Sequence, residues 1–297
     1  MSELKLFYHQ GNVIRLSRSL DFLKNNSTQI FLWIDLHDVD EEVENELEDY
    51  LKIYIQEEEE MIEIEMSSRY IETIDTLVVN SNFLLTTFER DPISFILKND
   101  LLITVRSKDL SSFHETVKKI SANPKNYPTG THVMVALLET RVEFDADMIE
   151  NMTQRITQLS NSLTLQEADE ELLTEIKDLQ EKTMLLRENI IDKQRTVSSM
   201  LRSEFIPTDL HPKLTIIIKD INSLIEHVRF SFDRLDYLQD TFLGYVNIEQ
   251  NKIIKIFTIV SVIFMPPTLI ASIYGMNFSM MPELSTKYGY PISIALM

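Results

Sequence analysis

The sequence predicts an α+β protein: an N-terminal mixed α/β domain, then long antiparallel helices forming a stalk, then C-terminal transmembrane helices. Three observations carry this expectation. Short strand-like runs crowd residues 1–125. Beyond them, apolar residues recur at three- and four-residue spacing through long stretches without Gly or Pro. Finally, residues 256–274 contain no charged side chain, about the length that crosses ~30 Å of hydrocarbon as a helix.

In the first region, Leu4-Lys5-Leu6-Phe7-Tyr8, Asn12-Val13-Ile14-Arg15-Leu16 and Gln29-Ile30-Phe31-Leu32-Trp33-Ile34 read as strands. So do Thr76-Leu77-Val78-Val79, Ile93-Ser94-Phe95-Ile96-Leu97 and Leu101-Leu102-Ile103-Thr104-Val105. Lys98-Asn99-Asp100 joins the last two as a hairpin, and residues 38–51 and 109–122 read as helices. The order in which the strands pair is not readable from the pattern.

Pro124, Pro128 and Gly130 punctuate the boundary at residues 123–130. Residues 132–163 and 167–205 follow as helices, and Pro207 and Pro212 mark the next junction. No proline then appears until Pro266, so one helix is expected from Lys213 to Tyr274. Its length below the apolar span is about 60 Å, and it needs neighbours to bury its stripes. The units expected are 1–125, the α/β domain; 126–252, the stalk; 253–275, a first span; 276–289, an external loop; and 290–297, the start of a second span that this sequence cuts short. Phe257, Ile259, Val260, Val262, Ile263 and Phe264 leave the span no polar face for water, which ranks the alternative, a buried core helix, behind a membrane span. Lys252 and Lys255 precede it with no matching cluster after Tyr274. The positive-inside rule then puts the bulk of the chain in the cytoplasm.

Composition narrows the function. Of 297 residues, 28 are Lys or Arg and 47 Asp or Glu, a formal charge of -19. Nucleic-acid binding, which needs a basic footprint, is not expected. With no Cys, disulfides and thiolate metal sites are excluded, and any metal must meet oxygen or imidazole. The six His (His9, His37, His114, His132, His211 and His227) lack metal-ligand spacing, and there is no phosphate loop or nucleophile motif, so an enzyme is not expected. The N-terminus lacks the basic-then-apolar pattern of a cleaved signal peptide.

Steps of four and three along the last long helix pick out Asp240, Gly244, Asn247, Asn251, Ile254, Thr258, Ser261, Met265, Thr268 and Ser272. This is a 3.5-residue seam, the repeat of helices packed about a common axis. Taken singly, Thr258, Ser261, Thr268 and Ser272 are ordinary small residues for close helix packing. As a series that continues the polar line of Asp240, Asn247 and Asn251 into hydrocarbon, they point to a pore lined by water. Its amides and hydroxyls suit an ion that keeps its hydration shell, as Mg²⁺ does. Ile254, Met265 and neighbouring Phe257 supply apolar constrictions that can gate by dewetting. Pro266-Pro267 removes the partners of the Val262 and Ile263 carbonyls and predicts a kink.

At the end of this helix, Tyr274-Gly275-Met276-Asn277-Phe278, then Met281-Pro282-Glu283-Leu284 and Tyr290-Pro291, resemble the signature of the CorA magnesium transporters. Asn247-Ile248-Glu249-Gln250-Asn251 and Phe264-Met265-Pro266-Pro267-Thr268 are similar to the enterobacterial-type branch. Trp33-Ile34-Asp35-Leu36 and residues 63–69 are weaker echoes. The resemblance implies a homopentamer in the cell (inner) membrane, multi-pass, with both termini cytoplasmic and the first span of each subunit lining the pore. It implies an outer mouth at Gly275, Met276 and Asn277, with Asn277 holding hydrated Mg²⁺ through its side-chain carbonyl, Gly275 permitting tight backbone and Glu283 drawing cations in. It also matches Asp240, Asn251, Ile254, Phe257, Met265 and Thr268 to pore positions, and Ser272 stands where some members carry glycine. Cytoplasmic Mg²⁺ sensing by acidic residues between subunits is implied as well. Asp75 and Asp220 are the candidates, and the acidic runs at 38–49 and 57–65 supply further hard oxygen ligands. The cargo expected is Mg²⁺, with Co²⁺ and Ni²⁺ as passengers and no organic cofactor. A zinc transporter of the same superfamily and a membrane-tethered coiled-coil scaffold are the alternatives.

Overall fold

The computed structural model describes residues 3–57, 60–61, 69–165, 170–279 and 281–297. Seven strands form one sheet: β1 (Glu3–Gln10), β2 (Val13–Ser17), β3 (Phe31–His37), β4 (Tyr70–Glu72), β5 (Thr76–Leu84), β6 (Arg90–Lys98) and β7 (Leu101–Arg106). Their order is β2-β1-β3-β7-β6-β5-β4. Neighbours run antiparallel except β3 and β7, which are parallel. The expected hairpin closes β6 onto β7, with Lys98 opposite Leu101. Asn99 and Asp100 both have positive φ, the conformation that a two-residue turn matching strand twist requires.

Helices cover both faces of the sheet. Alternate residues serve two cores: Leu77, Val79, Phe95 and Leu102 pack on one side, while Val78, Ile96, Leu101 and Ile103 pack on the other. Short α1 (Leu20–Lys24) and α2 (Glu41–Leu51) bury Leu23 and Leu47 in the second core. The first core receives Phe113 and Ile120 of α3 (Ser111–Ala122) and the start of α4 (Gly130–Leu165). Covered on both faces, β3, β6 and β7 read as nearly continuous apolar runs. One polar group inside is fully paired: Arg106 reaches Asp35 Oδ1 and Oδ2 at 3.0 and 2.9 Å. The Trp33 indole N–H donates to Thr104, whose hydroxyl donates to Asp35.

The stalk consists of α4, α5 (Glu170–Met200) and α6 (His211–Tyr274). Their buried positions keep a heptad spacing: Ile149, Met152 and Ile156 on α4, Leu179, Leu186 and Ile190 on α5, Val228, Leu235 and Phe242 on α6. The helix expected over 167–205 ends at Met200. The 64 residues of α6 run unbroken through Pro266 and Pro267. At 1.5 Å per residue that is about 96 Å. A short α7 (Gly289–Leu296) closes the chain.

Candidate functional site

The packed seam of α6 and its polar seam lie on opposite sides. Leu235, Leu238 and Phe242 are buried against the stalk, and Phe242 is the last buried residue of the helix. Asp240 stands about 160° around the axis from both Leu238 and Phe242, by the 100° turn of successive residues. Along that open side Asp240, Gly244, Asn247, Asn251, Ile254, Thr258, Ser261, Met265, Thr268 and Ser272 are all exposed. Phe257, also exposed, flanks the seam one turn from Ile254. Above Phe242 the helix enters an apolar window of mean hydropathy 2.1, none of it buried. A polar line on an otherwise apolar and uncovered helix is therefore free to face other copies or a bilayer.

Two hydroxyls on this line are already oriented. Thr258 Oγ1 donates to the Ile254 carbonyl at 2.8 Å, and Thr268 Oγ1 to the Phe264 carbonyl at 2.7 Å. Their protons spent on the backbone, these oxygens present lone pairs outward. The waters of a hydrated cation are donors, so the polarity matches.

The expected mouth follows directly. The Gly275 N–H donates to the Ala271 carbonyl at 2.9 Å. The backbone at Gly275 is crowded rather than strained. Its φ of -84° is right-handed, but an added Cβ would meet the Ala271 oxygen at 3.0 Å. Its need is for space, not for unusual torsion. Met276, Asn277 and Phe278 are exposed just beyond. Glu283 lies in a 3₁₀ turn, Pro282–Ser285, whose Pro282 carbonyl accepts from Ser285 and Thr286. Gly289 backs onto this turn so closely that a Cβ would lie 2.4 Å from the Glu283 oxygen. No motif marks Gly289 in the sequence; its position between turn signals and an apolar run is the one clue.

The acidic candidates are not brought together. Asp75, in the β4–β5 turn, pairs with Lys98 at 3.0 Å, and that ammonium holds its carboxyl below the usual carboxylate range. Asp220 is exposed on α6. Burial, then repulsion from Glu48 and Glu41, pushes Glu44 of α2 upward. Among the described residues no group of three His, Cys, Asp or Glu is placed to hold a metal. Glu58, Glu59, Glu63 and Glu65 of the acidic run, and residues 63–68 of the weaker echo, lie outside the described residues.

One charged group is not among the residues that the sequence motifs single out. Asp145 and Lys193 occupy core positions of the α4 and α5 heptads, 3.2 Å apart and buried, and Arg141 donates to Asp145 at 3.0 Å. Both cations tie back to the sheet, Arg141 to the Leu84 carbonyl and Lys193 to that of Asn82. Both also stand 5.3 Å from the Phe83 ring. Its signal in the sequence is two charges breaking an apolar heptad.

A sheet domain carries a coiled stalk, whose last helix continues uncovered and uncharged for about a bilayer's thickness, the architecture of a membrane protein. Residues 28–297 match the family described as CorA-like Mg2+ transporter protein. The magnesium transport protein CorA of Wolinella succinogenes is 39% identical over 97% of this chain and 92% of its own. That of Escherichia coli K12 is 33% identical over 90% and 86%. The complete CorA structure from Methanocaldococcus jannaschii superposes with a TM-score of 0.81 at 20% identity, covering 98% of this chain and 93% of that one, and so shares the fold. The chain belongs to the CorA-like Mg2+ transporter family, which are membrane ion transporters and not enzymes.

Proposed function

We propose that this chain is one subunit of a homopentameric channel that passes hydrated Mg²⁺ across the cell (inner) membrane. The observation that carries the reading is the 3.5-residue polar seam of α6, open from Asp240 to Ser272 on the side away from the stalk's own packing. A helix with one seam buried in its protomer and a second, polar seam exposed is built to surround an axis with copies of itself. Acceptor oxygens at Asn247, Asn251, Thr258, Ser261 and Thr268 receive protons from the ion's water shell. Ile254, Phe257 and Met265 narrow the path with apolar rings. At the outer end Gly275, Met276 and Asn277 form the selecting mouth, with Glu283 beside it raising the local cation concentration. The apolar α7 begins the second span, which makes the protein multi-pass, and the bulk of the chain is cytoplasmic.

Gating follows from the acidic surface. Cytoplasmic Mg²⁺ shields carboxylates that repel one another across copies and holds the assembly closed; Asp75 and Asp220 are the named candidates. Asp75 must first part from Lys98, so of the two Asp220 is the readier ligand. The names of the relatives at 33–39% identity favour magnesium over zinc. In liposomes the full chain is expected to carry Mg²⁺, and Asn277→Ala to cut that flux by roughly tenfold or more, the worth of one charge-assisted contact. Zinc uptake without magnesium uptake would overturn the cargo. Unaltered flux in Asn277→Ala would overturn the mouth.

A further inference from the structure

A second polar site lies far from the seam. Between the end of β5, the start of β6 and the middle of α5 is a cavity of about 360 Å³, bordered by Arg69, Arg90, Asn189 and Arg195. Its charge runs against that of the molecule. Arg69, Arg90 and Arg195 line it, with Arg141 and Lys193 behind, against Glu188, Asp192 and the buried Asp145. Among the described residues that is a local excess of two positive charges, in a chain of net charge -19.

The partners already present leave capacity at Arg195 and Asn189. Arg69 pairs with Asp192, and Arg90 with Glu188. Asp192 is further engaged by the Ser81 hydroxyl at 3.3 Å and the Asn82 N–H at 3.2 Å. Arg195 makes no ion pair among the described residues and is exposed at the cavity. Asn189 is only 4% exposed and donates its amide N–H to Asp145 at 3.3 Å. Its Oδ1 has no hydrogen-bond partner among the described residues. A buried acceptor left empty is costly, and it calls for a donor from outside the chain.

We propose that this cavity binds a phosphate-bearing anion, whose oxygens take guanidinium N–H groups from Arg195 and Arg90 and whose protonated oxygen donates to Asn189 Oδ1. A monoprotonated phosphate has the needed combination of several acceptors and one O–H, and guanidinium groups suit its geometry. Arg90 belongs to the sheet and Asn189 and Arg195 to α5, so the ligand straps the sheet to the stalk. The chemistry is shared by free phosphate and by a phosphorylated metabolite, and the volume admits either.

The test is calorimetric titration of the purified full-length chain in detergent and metal-free buffer, with inorganic phosphate in one arm and adenosine monophosphate in the other. Saturable binding is expected in at least one arm, and the tighter arm identifies the source. Arg195→Ala is expected to weaken it roughly ten- to a hundredfold, the loss of a charged hydrogen bond. Arg187→Ala, which removes an exposed Arg of the same helix outside the cavity, is expected to leave it unchanged. No saturable binding in either arm, or equal losses in the two variants, overturns the proposal.

Discussion

Lys193 is the side chain whose burial has the most direct consequence in solution. Loss of water, opposed by Asp145 and Asp192 and reinforced by Arg141, lowers its pKa from 10.5 to about 8. Between those values the unfolded chain holds a proton that the folded chain has released, so stability rises as pH climbs through the window. Below the folded value both states carry the proton, and that gain is absent. Unfolding followed by the fluorescence of Trp33, the only Trp, should therefore give a denaturation midpoint that increases from pH 8 to 10. Lys193→Met should flatten this slope; an identical slope in the variant would assign it elsewhere. Asp35 makes the opposite case. It is the only acid hydrogen-bonded to the buried guanidinium of Arg106 among the described residues. Asp35→Ala should destabilise the sheet domain by about 3–5 kcal/mol, because it leaves the buried guanidinium only the exposed Asp109 carboxylate, at 3.8 Å, as a counter-charge. A loss under about 1 kcal/mol in the same assay would show that Arg106 reaches water.

Elements with a strong period are legible in the amino-acid pattern itself. The expected run from Lys213 to Tyr274 and the observed α6 differ by two residues at one end. The β6–β7 hairpin is readable because Asn99 and Asp100 are turn residues between apolar runs. The three residues of β4 and the five of α1 are not, being too short for a period to show. The order of the sheet is hidden for a different reason. The parallel pairing of β3 with β7 joins residues about seventy positions apart, and nothing local encodes a contact of that range. The candidate pore seam is legible as periodicity. Its freedom is not, since only packing reveals that Leu238 and Phe242 occupy the opposite side. The Lys193 group escapes because a charge in a heptad reads as a solvated face until burial is known.

At the scale of the whole molecule, the protomer is only half packed. It buries an apolar heptad from Leu214 to Phe242 and leaves bare everything from Leu243 upward on α6 apart from partly covered Val246, Pro267 and Ile270. Under the proposed gating, splaying of the stalks on loss of cytoplasmic Mg²⁺ should expose the α5–α6 connection. Protease cleavage near residues 201–207 is thus expected to speed up when Mg²⁺ is withdrawn from the reconstituted protein, whereas equal rates with and without Mg²⁺ would contradict gating by shielding. The central claim, that the seam of α6 lines the ion path, has a direct test because the chain contains no cysteine. Single Cys substitutions from 240 to 272 in reconstituted vesicles can be treated with a charged, water-soluble thiol reagent while Mg²⁺ flux is recorded. Block is expected at Asn247, Asn251, Thr258, Ser261 and Thr268, recurring every three or four residues, with little effect at Ile256, Val260 or Val262. Block without that period, or confined to the outward-facing positions, would contradict the claim.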